Sequence, residues 1–150
     1  MKKASILFLS ALLIALYLSS CNSDDSSDNK ENDTALLTGK WVPKKTGTIA
    51  ENGNESLQEI PNPGKCDSGL LEYSSNGTFS NLRYEFQDNK CVSYNQKGAW
   101  SAKDKIITAI YDDGSTTLEI LELSQSTLKL KQTLKTGTTL LVFISVYNRK

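Results

Sequence analysis

From residue 68 onward, apolar and polar residues alternate in short runs that are separated by turn-forming residues. Side chains of a β-strand point alternately to its two faces, so this period of two predicts strands with one buried face. Asn76 and Gly77 predict a tight hairpin, because both tolerate a positive φ. The pattern predicts seven strands, at 70–74, 78–86, 91–101, 105–111, 116–123, 127–134 and 139–147.

A further strand is predicted at 36–45, and the segment 46–68, rich in Gly, Asn, Pro and Ser, predicts a long polar loop. No ten-residue segment beyond the N-terminal apolar run has helical periodicity. Eight antiparallel strands in meander order leave no free edge if they close on themselves. The predicted fold class is therefore all-β, an eight-stranded antiparallel up-and-down barrel. Such a barrel is either filled by side chains or holds one small ligand.

The phase of the alternation indicates which side chains face the interior. Leu82, Tyr84 and Phe86 share one face of strand 78–86, and Phe79 is out of phase with them, which predicts a bulge or bend near Ser80. The residues predicted to line a cavity, or to serve as plain core, are Tyr73, Tyr84, Phe86, Tyr94, Ile110 and Phe143.

The N-terminus has the pattern of an export signal. Lys2 and Lys3 precede an apolar run at 4–18, which is shorter than the roughly 20 residues of a membrane span. The run ends in Leu18-Ser19-Ser20-Cys21, which resembles the lipobox of bacterial lipoproteins. We therefore expect residues 1–20 to be a signal peptide and Cys21 to carry the lipid that attaches the chain to a membrane. The alternative is an ordinary cleaved signal with a chance cysteine.

Residues 21–34 contain no large apolar side chain, so we expect a disordered acidic tether ahead of a folded domain at 35–150. Asp24 and Asp25 are similar to the acidic signal that sends lipoproteins of Bacteroidota to the cell surface, and the alternative is a solvated spacer. We expect an outer-membrane location, at the cell surface rather than on the periplasmic face. The domain is close to neutral, which argues against a nucleic-acid partner.

Two cysteines remain once Cys21 is lipidated. In an exported chain, Cys66 and Cys91 predict one disulfide, and the alternative is a pair of buried free thiols. They are too far apart in sequence for a Cys-x-x-Cys redox site.

The sequence offers little catalytic chemistry. It has no histidine, so Ser-His and Cys-His pairs and histidine-ligated metals are excluded. Asp112 and Asp113 precede Gly114 in a turn, and Glu119 and Glu122 lie on opposite faces of a strand unless a bulge intervenes. We therefore expect no enzyme activity, no metal and no cofactor.

Four stretches together resemble the lipocalin-like domains of small lipoproteins from Bacteroidota. They are the Gly-x-Trp segment 37–41, the hairpin 71–79, the cysteine pair, and the second Gly-x-Trp strand with the strand after it, at 98–107. The resemblance implies structural roles for Gly39, Trp41 and Trp100. Gly39 would let the strand bend and Trp41 would plug the closed end of the barrel, with ligand contact by either tryptophan as the alternative.

The resemblance also implies a monomer that binds a small hydrophobic or amphipathic ligand in its barrel. The alternative is a surface protein- or glycan-binding module, such as an inhibitor, that uses the barrel as a scaffold. In that case the loop 46–68 would carry the binding surface.

Overall fold

The structure is a computed structural model that describes residues 28–150, without the side chains of 28–32 and 63. The predicted signal peptide, Cys21 and residues 22–27 lie outside these residues. A helix α1 (Asp28–Leu37) is followed by nine strands and one short 3₁₀ turn (Pro63–Lys65). The strands are β1 (Gly39–Ile49), β2 (Glu55–Glu59), β3 (Leu70–Tyr73), β4 (Thr78–Gln87), β5 (Lys90–Lys103), β6 (Ile106–Tyr111), β7 (Gly114–Leu123), β8 (Thr127–Thr136) and β9 (Thr139–Arg149).

Eight of these strands form the predicted closed barrel. Strands β3 to β9 pair in sequence order, all antiparallel, and β1 pairs with β3 on one side and with β9 on the other. Strand β2 pairs only with β1 within the described chain, alongside its second half. The predicted all-β, eight-stranded up-and-down barrel is therefore confirmed.

The tight turns follow from the backbone preferences of their residues. At the β3–β4 turn, Gly77 has a φ of 80°, and Asn76 Oδ1 accepts a hydrogen bond from the Thr78 amide at 3.1 Å. Asp88 and Asn89 join β4 to β5 with φ values of 49° and 61°. Positive φ at both central positions matches the right-handed twist of the paired strands.

One end of the barrel is closed by helix α1 and by Arg149. Trp41 is fully buried, its indole Nε1 donates to the Leu37 carbonyl at 2.9 Å, and the guanidinium carbon of Arg149 lies 4.2 Å from the centre of its ring. Arg149 also donates to the carbonyls of Leu36 and Thr38 at the end of α1. Gly39 has a φ of 138°, and a β-carbon there would lie 2.5 Å from Arg149 Nη1, so the position requires glycine.

Two elements differ from the sequence prediction. Helix α1 covers residues 28–34, which were assigned to the disordered tether, and Leu37 at its end is fully buried against the barrel. Strand β2 lies in the predicted loop 46–68, and all five of its side chains are exposed. Its strand conformation depends on backbone pairing with β1, which apolar alternation does not reveal.

The predicted bulge near Ser80 is absent, because β4 pairs with β3 and β5 without a shift of register. Bulges occur instead between Pro43 and Lys45 and between Ile120 and Glu122. The second one brings Glu119 and Glu122 to the same outer face, opposite Lys131 and Lys129. Glu119 forms an ion pair with Lys131 there.

Candidate functional site

The barrel encloses a cavity of about 130 Å³, which we call the inner cavity. Strand register places its lining side chains at inward-facing positions, among them the paired residues Leu130 and Ser145. Seven of the twelve lining residues carry a polar side-chain group, and none carries a charge. The twelve are Leu71, Tyr73, Phe79, Asn81, Ala109, Tyr111, Thr116, Leu118, Leu130, Gln132, Ser145 and Tyr147.

Tyr73 is the most deeply buried polar side chain of the inner cavity, with 1% of its surface exposed. Its ring packs against Phe79 and Trp100, with ring centres 6.4 Å and 4.9 Å apart. No fully buried side-chain nitrogen or oxygen among the described residues lacks a hydrogen-bond partner. The Tyr73 hydroxyl makes no hydrogen bond with these residues, so it faces the open space of the cavity. Because burial disfavours the charged form, the pKa of Tyr73 is raised far above its usual value, and Tyr147 and Tyr111 add to the effect.

Two more tyrosines bring hydroxyl groups to the same cavity. Burial raises the pKa of Tyr147, against the lowering effect of a hydrogen bond with Ser145. Burial also raises the pKa of Tyr111, and the nearby Asp113 carboxylate raises it further. Beside them, Gln132 Nε2 donates to Thr116 Oγ1 at 2.9 Å. At neutral pH the cavity therefore presents uncharged donors and acceptors.

The opposite end of the barrel from α1 is open, and we call it the mouth. Five inward-facing apolar side chains lie there near the β4–β5 and β8–β9 turns, each between 36% and 43% exposed. Inward-facing apolar groups that stay this exposed indicate that no other element covers them. They are Val92, Tyr94, Leu134, Leu141 and Phe143.

A second hollow of about 310 Å³ lies against the inner face of β4 and β5, between the mouth and the inner cavity. Asn81 lines both spaces. Arg83 supplies the only cation of this hollow, with its guanidinium 5.3 Å from the ring centre of Tyr94 and its Nε 3.7 Å from Glu85 Oε1. The hollow thus combines an exposed ion pair with aromatic and amide groups.

The structure brings together three of the six predicted cavity residues. Tyr73 lines the inner cavity, and Tyr94 and Phe143 lie at the mouth. The other three are corrected. Tyr84, Phe86 and Ile110 lie on the outer face, because β4 has no bulge and because Ile107 and Ala109, not Ile110, point inward. Ile110 is 50% exposed.

Several lining residues were missed by sequence reasoning. Tyr111 belongs to the inward face of β6 with Ala109, which pairs with the buried Trp100. The pairing of Ala109 with Trp100 is the feature from which the inward face of β6 could have been predicted. Gln132 and Asn81 offer no such feature, because a polar residue in an alternating strand is ordinarily assigned to the outer face.

The predicted disulfide between Cys66 and Cys91 is confirmed, with Cα atoms 5.6 Å apart. It fastens the segment before β3 to the outer face of the barrel. In the same segment a β-carbon at Gly64 would lie 2.2 Å from the Phe86 ring. A groove of about 480 Å³ beside this segment includes Tyr84 and is separate from the interior.

Among residues 28–150, no group of three or more His, Cys, Asp or Glu side chains is placed to hold a metal ion. No helix in that part of the chain is long and apolar enough to cross a membrane.

Comparison with known proteins gives one family match. The sequence profile of the lipocalin-like domain matches residues 37–130. A search of curated proteins gave no match.

Similar solved structures share the fold at low identity. A lipocalin-like protein from Bacteroides uniformis is 18% identical, with 77% of this chain and 99% of that chain covered at a TM-score of 0.52. An uncharacterized protein from Bacteroides eggerthii is 15% identical, and the match covers 76% of this chain and 99% of that chain at a TM-score of 0.50. Lobster apocrustacyanin A1 is 14% identical, and the match covers 82% of this chain and 66% of that chain at a TM-score of 0.53.

Proposed function

The chain belongs to the lipocalin-like domain family, and from that premise we propose that it is a lipid-anchored outer-membrane protein that binds a small amphipathic molecule inside its barrel. Members of this family bind small hydrophobic ligands and are generally not enzymes. The resemblance drawn from the four sequence stretches is thereby confirmed at the level of the family.

The observation that carries the ligand-binding proposal is the interior of the barrel, where the inner cavity and the second hollow share Asn81 and apolar side chains face inward at the mouth. The mouth offers exposed apolar side chains such as Leu141 and Phe143, and the inner cavity offers polar groups in a space of about 130 Å³. Ligand sites are concave and mostly apolar, with a few polar groups that fix orientation. This arrangement suits a molecule with one polar end.

Absence of catalysis is part of the proposal. With no histidine in the sequence and no charged side chain lining the inner cavity, that cavity offers neither a histidine or carboxylate general base nor a nucleophile activated by one. A binding and release function needs neither group.

The ligand proposal is tested with the uncharged fluorescent probe N-phenyl-1-naphthylamine. Phe143→Arg places a charge in the mouth and should weaken probe binding at least tenfold. The matched control is Ile110→Arg on the outer face, where the side chain is already 50% exposed, and it should leave binding unchanged. Absence of probe binding, or equal binding by both variants, would contradict an interior site. Mass spectrometry of molecules that co-purify with the membrane-extracted protein would then identify the natural ligand.

The anchoring proposal rests on the sequence Leu18-Ser19-Ser20-Cys21. We expect the mature N-terminal peptide to begin at a diacylglycerol-modified Cys21, and Cys21→Ser to abolish that modification and outer-membrane fractionation. Protease cleavage of the protein on intact cells would support the cell surface. Cleavage only after the outer membrane is opened would place it on the periplasmic face instead.

A second candidate function is a surface-binding module, and strand β2 favours it. Residues 50–62 are all exposed, and the outer edge of β2 is unpaired within the described chain. Free strand edges accept extended peptides by backbone pairing. Replacing the exposed Leu57 and Ile60 with serine should then abolish capture of a protein partner and leave probe binding intact. Partner capture that survives this change would exclude β2 as the binding surface.

A further inference from the structure

The hydroxyl of Tyr73 faces the space of the inner cavity, on a side chain that is otherwise buried. The side chain is 1% exposed and lines the inner cavity, and its hydroxyl has no hydrogen-bond partner among the described residues. A tyrosine hydroxyl can donate and accept a hydrogen bond. Tyr73 is therefore available to hydrogen-bond a molecule that enters the cavity.

The groups around Tyr73 define the chemistry of that occupant. Tyr111 and Tyr147 contribute two more hydroxyls to the lining of the cavity. Among the described residues Gln132 hydrogen-bonds only through its Nε2, to Thr116, which leaves its Oε1 available as an acceptor. Asn81 adds an amide with no partner in the described structure. The cavity thus offers several donors and acceptors within one enclosed space.

The charge of the occupant follows from the lining. No charged residue lines the inner cavity, and Arg83 lies in the second hollow with Glu85 as its counter-ion. An ionised group in an enclosed site without a partner of opposite charge is strongly disfavoured. A neutral oxygen group has no such cost, and the tyrosine hydroxyls can donate to it.

The size of the cavity limits what can enter it. Its volume is about 130 Å³. An engineered apolar cavity of about 150 Å³ holds one benzene molecule. The inner cavity can therefore hold a six-membered ring or the end of a short chain, and the rest of a larger ligand has to extend toward the mouth.

We propose that the inner cavity binds the uncharged oxygen-bearing head of the ligand, a ketone, ester or alcohol, with the apolar body extending toward Leu134, Leu141 and Phe143. This inference rests on the proposed ligand-binding function and adds the ligand's polarity and its orientation. The polar end enters first and lies deepest, and the hydrocarbon occupies the wider, more exposed part of the barrel. A carboxylate or an amine is excluded from the inner cavity.

The test uses three ring compounds that differ in one group: cyclohexanone, methylcyclohexane and cyclohexanecarboxylate. Binding to the full chain, exchanged from detergent into an amphipathic polymer, is followed by displacement of N-phenyl-1-naphthylamine and by the ¹³C resonance of labelled cyclohexanone. We expect cyclohexanone to bind with a shifted carbonyl resonance. We also expect Tyr73→Phe to weaken the binding of cyclohexanone roughly three- to tenfold, which is the effect of one hydrogen bond, and to leave the affinity for methylcyclohexane unchanged.

Two controls separate this effect from misfolding. Tyr73→Phe keeps the ring that packs on Phe79 and Trp100 and removes a hydroxyl without a protein partner, so its melting temperature should equal or exceed that of the wild type. Tyr84→Phe, on the outer face, should change none of the three affinities.

The outcomes distinguish the two proposals. If methylcyclohexane binds and Tyr73→Phe does not change cyclohexanone affinity, the head-group inference is wrong and interior binding stands. If cyclohexanecarboxylate binds tightest and Arg83→Gln weakens it, the polar end lies at the mouth and the inference is also wrong. If neither the rings nor N-phenyl-1-naphthylamine bind, both proposals are overturned.

Discussion

The two halves of the barrel share the same strands but differ in how completely they bury their inward side chains. At the closed end Trp41, Ile107 and Leu128 are fully buried. At the mouth Leu134, on the same strand as Leu128 and facing the same way, is 42% exposed. The difference comes from what covers each end. Strand alternation decides which side chains point inward, and helix α1 with Arg149 decides which of those side chains lose contact with water.

The largest expected effect separates the two halves by stability. Trp41→Ala removes a fully buried indole and should lower the free energy of unfolding by about 3–5 kcal/mol. Phe143→Ala at the mouth removes a ring that is 36% exposed and should cost about 1 kcal/mol. Urea unfolding followed by tryptophan fluorescence of Trp100 measures both. Equal losses would show that the mouth is packed as tightly as the closed end.

Removal of the disulfide should increase local unfolding in the mouth half of the barrel only. Cys66→Ala with Cys91→Ala releases a loop closed across 25 residues and should cost about 3 kcal/mol on the chain-entropy model. Cys91 lies near the mouth end of β5, so we expect amide exchange to rise at the β4–β5 end and to change little at the α1 end. Uniform loss of protection would mean that the two halves unfold together.

Arg149→Lys tests how the closed end is held. The guanidinium donates to the carbonyls of Leu36, Thr38 and Gln125 and covers the Trp41 ring. A lysine ammonium cannot reproduce this planar set of contacts. We expect a loss of about 2 kcal/mol in thermal or urea unfolding, with probe binding at the mouth retained. Weaker probe binding would show that the closed end also shapes the ligand site.

The last prediction concerns the response of stability to alkaline pH. The folded-state pKa of Tyr73 lies above its unfolded value, so the unfolded chain releases the proton first as pH rises. The contribution of Tyr73 to the free energy of unfolding is fully present below about pH 10. Above that pH the free energy of unfolding should fall by about 1.4 kcal/mol per pH unit. Urea unfolding between pH 9 and 11.5 measures the slope, and Tyr73→Phe should make it shallower. An unchanged slope would mean that Tyr73 does not contribute.

The sequence was sufficient for the barrel itself. Alternation from Leu70 onward, with turn residues such as Asn76 and Gly77, determines seven strands through local preferences alone. The disulfide followed from the cysteine count and the export signal. Strand β2 and helix α1 were missed because each depends on contacts made after the barrel forms, with β1 for β2 and with the closed end for α1.

The interior was harder to predict, because the face of a strand depends on its register with its neighbours. Tyr84 and Phe86 were placed inside on the expectation of a bulge, whereas continuous pairing through Ser80 puts Phe79 inside instead. Gln132 lies between Leu130 and Leu134 on the inward face of β8, although a polar residue in an alternating strand is ordinarily assigned to the outer face. Polar residues that line a cavity cannot be told from surface residues by alternation alone.

The pairing of β1 with β9 has a consequence for how the chain acquires its structure. Trp41 lies opposite Arg149, so the seam of the barrel joins residues more than a hundred positions apart. Contacts between distant parts of a chain are slow to form, because the intervening loop must lose its freedom first. The β3–β8 meander can assemble locally as soon as it is synthesised, but Trp41 acquires its cover only when β9 arrives. We therefore expect refolding to show an early gain of strand signal and a later change at Trp41, so that the binding cavity is completed in the last step of folding.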